Sequence, residues 1–382
     1  MKTFHYHKIL WLIFCLAFSS LAHAAIVQGL YESEKIVPNQ SAAERDKAMK
    51  DALMDVLAKI CGRPDVGTVP EIISALENPR NYVQQYRYRK IPEHGYILKE
   101  AAAGSQILWL AFDQRAVDKL LQKNNLPVWG RTRPSTLVWL AVEQNGSRFV
   151  VNNNTPDEIR FALEIQAKRR GISLVMPLMD LQDQQKLTFN DVWENNQVPI
   201  FQASKRYQAD AVLVGHINVS ANDNWQGHWV LYEGGQGLSW NNQGEAVSDM
   251  LDGGVLGTLE ILASRYAQDL GNSSVGTFDV AVTDITSLDQ YAKVSNYLNS
   301  LEQVKGVYPT HVDNNSVTYR LDIRGSSKGL IQTIRLGNVL AAVSSPESGG
   351  SNPMQSMETG QQIQVQESAS TTCSGRGRFL QR

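Results

Sequence analysis

The stretch Ala211-Val212-Leu213-Val214-Gly215-His216-Ile217-Asn218-Val219, then Ser220-Ala221-Asn222-Asp223-Asn224, then Trp225-Gln226-Gly227-His228-Trp229-Val230-Leu231-Tyr232, decides how the chain folds. The first run is apolar and rich in β-branched residues, as a buried strand is. The polar Ser/Asn/Asp group breaks it as a turn does. With the turn at Ser220–Asn224, Val219 faces Trp225 and His216 comes opposite His228. Leu213, Gly215, Ile217, Trp229 and Leu231 then share the core face, while His216, Asn218, Gln226 and His228 share the other. Two neutral imidazoles side by side can hold a metal with a third ligand from elsewhere. The alternative is an ordinary cross-strand polar pair. No third ligand stands nearby, and a slip of one residue separates the two rings.

Outward from this hairpin the pattern alternates. Thr136 to Val142 reads as a buried strand. Thr155-Pro156-Asp157-Glu158 opens a helix with Thr155 as N-cap and Pro156 in the first turn. Arg169, Arg170 and Gly171 close it, with positive charge at the negative end of the helix dipole. Ile172–Met176 is a strand and Val198–Tyr207 a helix, so the order implies a sheet with helices packed on it. Downstream, Leu238–Asn242 completes a hairpin through the turn Gly234-Gly235-Gln236-Gly237, and a long helix runs from Val247 to Leu270. Its Gly253, Gly254 and Gly257 mark close helix packing, and Trp225, Trp229 and Trp240 read as core. Together these make a middle α/β domain, 131–271.

Before it, 25–130 reads as a first α/β domain. Ile26–Tyr31 suits a strand. Ser41-Ala42-Ala43-Glu44 is a capping box, followed by Ala48, Met49, Ala52, Leu53, Val56, Leu57, Ile60 and Cys61 at helical spacing, with Gly62 and Pro64 as the stop. Helices are expected at Val69–Leu76 and Asn81–Gln85, strands at Gly95–Glu100 and Gln106–Phe112, and a helix from Asp113 to Leu121. After it, 272–343 carries the order βαββαβ, a split ferredoxin-like pattern. From 344 to 382 Ser, Gly, Gln and Pro dominate, too few apolar residues remain to offset chain entropy, and a disordered tail is expected. The fold class is thus α+β or α/β: small mixed domains in series, the last ferredoxin-like, then the tail.

The chain opens with Lys2, Lys8, His5 and His7, an apolar run Ile9–Phe18, and the small-residue site Ala22-His23-Ala24. That is a secretory signal with cleavage expected after Ala24; the apolar run is shorter than the roughly 20 residues that span a bilayer. An uncleaved anchor is the competing reading. The mature chain is expected in the periplasm with no transmembrane segment. Of 382 residues, 42% are apolar, enough for real cores, and a net charge of -2 gives no reason to expect nucleic acid. After signal removal Cys61 and Cys373 remain, which is no disulfide framework; Cys61 reads as a small buried hydrophobe.

The chemistry-bearing residues do not assemble into a familiar motif: there is no H-E-x-x-H, C-x-x-C, G-x-S-x-G or Walker loop. No catalytic residue and no cofactor is assigned. Trp129, Arg131 and Arg133 form either solvated linker charges stacked on an indole or a cationic-aromatic contact surface. Val128-Trp129-Gly130-Arg131 with Arg133-Pro134, Leu137-Val138-Trp139-Leu140, Arg169-Arg170-Gly171, Asp191-Val192-Trp193 and Tyr207 to Gly215 together resemble an exported Gram-negative family filed as a domain of unknown function, number two thousand and sixty-six in its series. The resemblance spans about residues 25–340 and implies no functional residues. Ala203–Gly215 looks like the amino-terminal module of the Tol-system propeller protein and of curli-export lipoproteins. The helix from Ser41 resembles the first domain of a flagellar T-ring protein. Those relatives work by protein contacts, which implies an interaction or assembly protein whose partners are other envelope proteins. A metal-dependent or hydrolytic enzyme with an inter-domain cleft and a peptidoglycan-binding module at 272–343 stand as alternatives.

Overall fold

The computed structural model describes residues 25–91, 102, 104–153, 155, 157–219, 224–267, 276–337, 339–342 and 374–381. The signal segment, the strand expected at Gly95–Glu100, the turn residues 220–223 and residues 344–373 of the tail lie outside them.

The first elements are β1 (Ala25–Ile26), β2 (Glu32–Val37), α1 (Ala42–Cys61), α2 (Pro70–Glu77), β3 (Val83–Lys90), β4 (Gln106–Phe112) and α3 (Gln114–Lys123). β2, β4 and β3 form an antiparallel sheet in that order. α1 buries the face read from its spacing: Ala52, Leu53, Val56, Leu57 and Ile60 are all inaccessible. Ser41 caps it by accepting from Glu44 N at 3.3 Å, while the Ser41 N–H donates to Asn39 Oδ1 rather than to Glu44. Gly62 ends the helix at φ +69° and donates to Ala58 O, a left-handed cap that favours glycine.

Two expectations shift here. Of the strand expected at Ile26–Tyr31 only Ile26 lies in one, the end of β1; Gly29 then turns the chain at φ +66°, Glu32 N donates to Gly29 O at 3.1 Å, and the next strand starts at Glu32. The helix expected near Asn81–Gln85 is a short 3-10 turn, Pro79–Tyr82, leading into β3. β3 is an edge strand whose polar residues face water, so it lacks the apolar alternation that marks half-buried strands.

Next come β5 (Thr132–Arg133), β6 (Ser135–Gln144), β7 (Ser147–Val150), α4 (Asp157–Arg170), β8 (Ser173–Val175), α5 (Leu181–Gln184), α6 (Phe189–Trp193), α7 (Gln197–Ser204), β9 (Ala211–Val219), β10 (Trp225–Glu233), β11 (Gln236–Gly244) and α8 (Val247–Tyr266). β5 pairs with β1. The other strands form one sheet, β11-β10-β9-β6-β7, with β8 also beside β6. β6 runs parallel to β8 and β9, and the remaining pairs are antiparallel. α4 and α8 cover one face, packing on Val138, Leu140, Leu213, Ile217 and Trp229. α5–α7 and their loops cover part of the other, over Leu137, Trp139, Val212 and Val214. β6 is therefore buried on both faces, which is why it reads as one apolar run.

The packing glycines have a specific use. A Cβ at Gly215 would come 2.4 Å from the Trp229 ring, and one at Gly254 2.5 Å from its other part. Trp229, fully buried, fits because strand and helix both lack a side chain there.

The last elements are β12 (Gly276–Thr283), α9 (Leu288–Ser300), β13 (Val304–Val312), β14 (Ser316–Ile323), α10 (Ser327–Leu336), β15 (Leu340–Ala342) and β16 (Ser374–Gln381). Ser287 and Ser326 cap the two helices. Phe278, Val280, Val282, Val294, Leu298, Tyr319, Leu330 and Ile334 are core. The sheet order is β13-β14-β12-β16-β15. Within the tail expected to be disordered, residues 374–381 form a strand paired on both sides, parallel to β12 and antiparallel to β15. Main-chain hydrogen bonds to two neighbours stabilise a segment that composition alone marks as too polar to fold.

No helix among the described residues is long and apolar enough to cross a membrane.

Candidate functional site

The register read from the hairpin places His216 of β9 opposite His228 of β10. Their rings lie 5.2 Å apart. His216 also stacks on Trp193 at 4.6 Å, and Trp193 on Phe189 at 5.4 Å. Arg148 sits 5.7 Å above Phe189. The result is a column across the sheet face: Arg148, Phe189, Trp193, His216, His228. His216 Nδ1 donates to Trp193 O at 2.8 Å, and His228 Nδ1 bonds Asn241 Oδ1 at 2.6 Å. Burial, together with the neighbouring His228 charge, pulls the His216 pKa down; the Trp193 carbonyl opposes this. Among the described residues no group of three or more His, Cys, Asp or Glu comes together as a metal ligand set. What the pair forms here is part of an aromatic stack.

Beside that column, the sheet face is open where α7 stops short of β10 and β11. A groove of about 540 Å³ runs there, lined by Asn195, Phe201, Asp210, His228, Tyr232 and Ser239 among others. Phe201 meets Tyr232 edge-on at 5.0 Å, and the Tyr232 hydroxyl bonds Asn195. The helical cover buries Leu187, Val192, Ile200 and Ala203 inward. Outward it shows Leu178, Leu181, Val198 and Phe201, exposed by 44, 76, 68 and 38%. Exposed apolar residues gathered on one segment mark contact sites more often than scattered ones do.

The segment is held rigid from below. Asp183 is fully buried and accepts from Met179 N, from the Tyr207 hydroxyl and from Arg206. Arg206 also pairs with Asp180, which holds the Asp180 carboxyl down to about 2.

Trp129, Arg131 and Arg133 lie elsewhere. Trp129 is 2% exposed and Arg133 is fully buried, so of the three only Arg131 stands at the surface, donating to Gln114 Oε1. Arg133 stacks 4.1 Å from the Trp129 ring centre. Its guanidinium donates to the carbonyls of Gly130, Gly171, Arg170, Lys59 and Trp129. Lys59 and Arg170 belong to the last turns of α1 and α4, so one cation satisfies the orphan carbonyls of two helix ends. Desolvation lowers the Arg133 pKa to about 9, with the Glu302 charge acting against it.

Two further features were not singled out by the sequence reading. Between β2, α1, α4 and α8 lies a cleft of about 550 Å³ whose lining includes Lys59, Glu34, Lys35, Lys168, Arg169 and Asp252. Lys59 is 4% exposed, and its amine donates to Glu32 O at 2.8 Å and Gly29 O at 3.3 Å. Desolvation, then the Arg133 charge, lowers its pKa to about 8. A lysine on the buried face of α1 was the available signal. Beneath Trp129 a second cavity, about 340 Å³, is lined by Gly130, Arg131, Tyr266, Glu302 and Gln303. Burial, then the charge of Asp118, raises the Glu302 pKa. Cys61 is a buried free thiol whose pKa desolvation pushes to about 11, which leaves it unreactive.

Comparison with known proteins corrects the resemblance drawn from sequence. The family model that matches is described as a domain of unknown function (DUF8605), and it covers residues 24–130. It is a different family from the one expected. No curated protein matches the chain. A solved structure titled only as that of an uncharacterized protein is 13% identical and covers 35% of this chain and 90% of its own, with a TM-score of 0.17, too low to carry a fold argument. What this chain is similar to by family is therefore DUF8605, over its first folded part.

Proposed function

We propose that this protein is an interaction or assembly component of the cell envelope, exported to the periplasm, that engages a partner protein through the 178–201 segment and the adjoining groove. It is built of three small α/β modules in series, 25–130, 131–271 and 272–343, the last a ferredoxin-like module widened by one strand. The observation that carries this reading is the outward set of Leu178, in the loop before α5, Leu181 on α5, and Val198 and Phe201 on α7, anchored by the buried Asp183. A rigid apolar surface beside a polar groove suits protein recognition, because little ordering entropy is lost on binding.

A photo-crosslinking residue at Val198 in intact cells tests it. A discrete adduct is expected at that position and not at Leu288, which is also exposed (80%) but lies on a different sheet's helix. A Phe201→Ser substitution should remove the adduct. No adduct at Val198 in cells that export the protein overturns the reading. Amino-terminal sequencing checks export separately: the mature chain should begin at Ala25, and a Met1 start refutes it.

A second reading, a hydrolytic enzyme working in an inter-module cleft, is favoured by one observation. Lys59, whose amine has its pKa lowered to about 8 by burial, lines the cleft of about 550 Å³ between β2, α1, α4 and α8. Such an amine suits general-base work. A purified chain without hydrolysis of amide, ester or phosphoester model substrates between pH 7 and 9 removes this reading.

A further inference from the structure

The position of β16 in its sheet has no counterpart in the order of the elements before it. β12, α9, β13, β14, α10 and β15 by themselves give a sheet in which β15 would lie beside β12. Instead β16 stands between them. It runs parallel to β12, with Thr277 to Thr283 in register with Ser374 to Leu380. β15 pairs with it antiparallel, Leu340 with Gln381 and Ala342 with Phe379. β15 thus runs antiparallel to β12, and the two edges are oriented to pair directly once the strand between them leaves.

Three physical points make β16 an exchangeable occupant rather than a fixed part of the sheet. First, it is weak as a central strand. Gly375 and Gly377 stand opposite Phe278 and Val280, and glycine inside a strand costs entropy and contributes no side-chain packing. Second, its pairing is by backbone, which any chain of compatible size at those two positions can reproduce. Third, residues 343–373 connect it to β15. At about 3.3 Å per extended residue they reach on the order of 100 Å, far beyond the few strand widths that insertion into its own sheet requires. Identical slots and identical tails in every copy make exchange between copies a low-cost step.

We propose that the slot between β12 and β15 is a strand-acceptor site and that its occupant, residues 374–381, exchanges between copies of this chain. In one arrangement each chain fills its own slot, as here. In the other the tail of a second copy fills it, and the two chains are joined by reciprocal insertion. The register places Gly375, Gly377 and Phe379 of the occupant beside Phe278, Val280 and Val282 of β12.

The test uses the full chain in a Cys61→Ala, Cys373→Ser background. Ala281 and Arg378 are register partners, so Ala281→Cys with Arg378→Cys places two thiols on adjacent strands at a spacing that a disulfide can close. Two differently tagged copies are mixed, incubated and oxidised. Mixed-tag covalent species at least tenfold above the level seen with either cysteine alone are expected; trapping confined within single chains overturns exchange, and no trapping at all overturns the slot. A synthetic peptide of residues 374–382 provides an independent readout. It should bind a full-length Gly377→Pro chain, whose own tail can no longer donate at that position, at least tenfold more tightly than the unmodified chain. Equal binding to both, or none to a folded Gly377→Pro chain, counts against the proposal. Should Gly377→Pro fail to fold, a chain lacking residues 374–382 takes its place. If that also fails to fold and the peptide does not restore it, β16 is an integral strand and the proposal is wrong.

Discussion

The Arg133 guanidinium donates to the carbonyl of Lys59 at 2.8 Å, inside the protein, and so ties the end of α1 to β5, the short strand just ahead of β6. The same side chain reaches Gly171 at 3.0 Å, past the end of α4. Replacing Arg133 with Met should cost about 3–5 kcal/mol, because several buried carbonyls lose their donor at once. Arg133→Lys keeps the charge but not the planar fork, and should still cost about 2 kcal/mol. Urea denaturation gives both values.

Gly254→Ala has an expected sign opposite to helix propensity. In an exposed helix the change stabilises by about 1 kcal/mol. Here the added methyl would stand 2.5 Å from the Trp229 ring. Overpacking should win, with a loss of about 1–3 kcal/mol. A shift in tryptophan fluorescence and a lower melting temperature would register it; unchanged stability means the ring has room to move.

Lys59 should leave a signature at alkaline pH. Its pKa falls from 10.5 to about 8 on folding. Below about 8 both states bind its proton and the full burial penalty applies; above 10.5 neither does. Stability contributed by this group therefore rises between the two, by on the order of 3 kcal/mol. The difference between the native chain and Lys59→Met, measured by denaturation from pH 7.5 to 11, should show that slope. A flat difference excludes a buried cationic Lys59.

His216 should act on the acid side. Its folded pKa is lowered, mainly by desolvation. Stability from its neutral form is present above the unfolded value of about 6.5 and is lost as pH falls through the folded one. His216→Gln should flatten the stability profile below about pH 6.5, and the His216 imidazole resonance, assigned by its loss in that variant, should titrate below that of a free histidine. Titration at or above the free value would contradict the stack.

Much of the site's framework is legible before any coordinates. The hairpin register follows from two apolar runs and a polar break, since side chains alternate with a period of two and only one register buries Trp229 and Leu213 together. The helix from Ala42 to Cys61 follows from its cap and spacing. Less legible is what lies at the ends of those elements. Lys59 and Arg133 carry the composition of a surface, and only the meeting of two helix ends makes them interior. β3 escapes notice because a solvent-facing edge strand has no apolar period. The family assignment failed for a different reason: short shared stretches such as Trp129-Gly130-Arg131 are spread over a long chain, whereas the matched family covers 24–130.

By itself the amino-acid order determined which segments become strand or helix, and which of their faces turn inward, because these depend on contacts between residues close along the chain. Only the tertiary structure decided that His216 stacks on Trp193, that Phe201 opens onto a groove, and that residues 374–381 enter a sheet between β12 and β15. Those outcomes depend on pairs distant in sequence, where no local propensity acts and the balance is set by which backbone groups and which apolar surfaces are left without a partner.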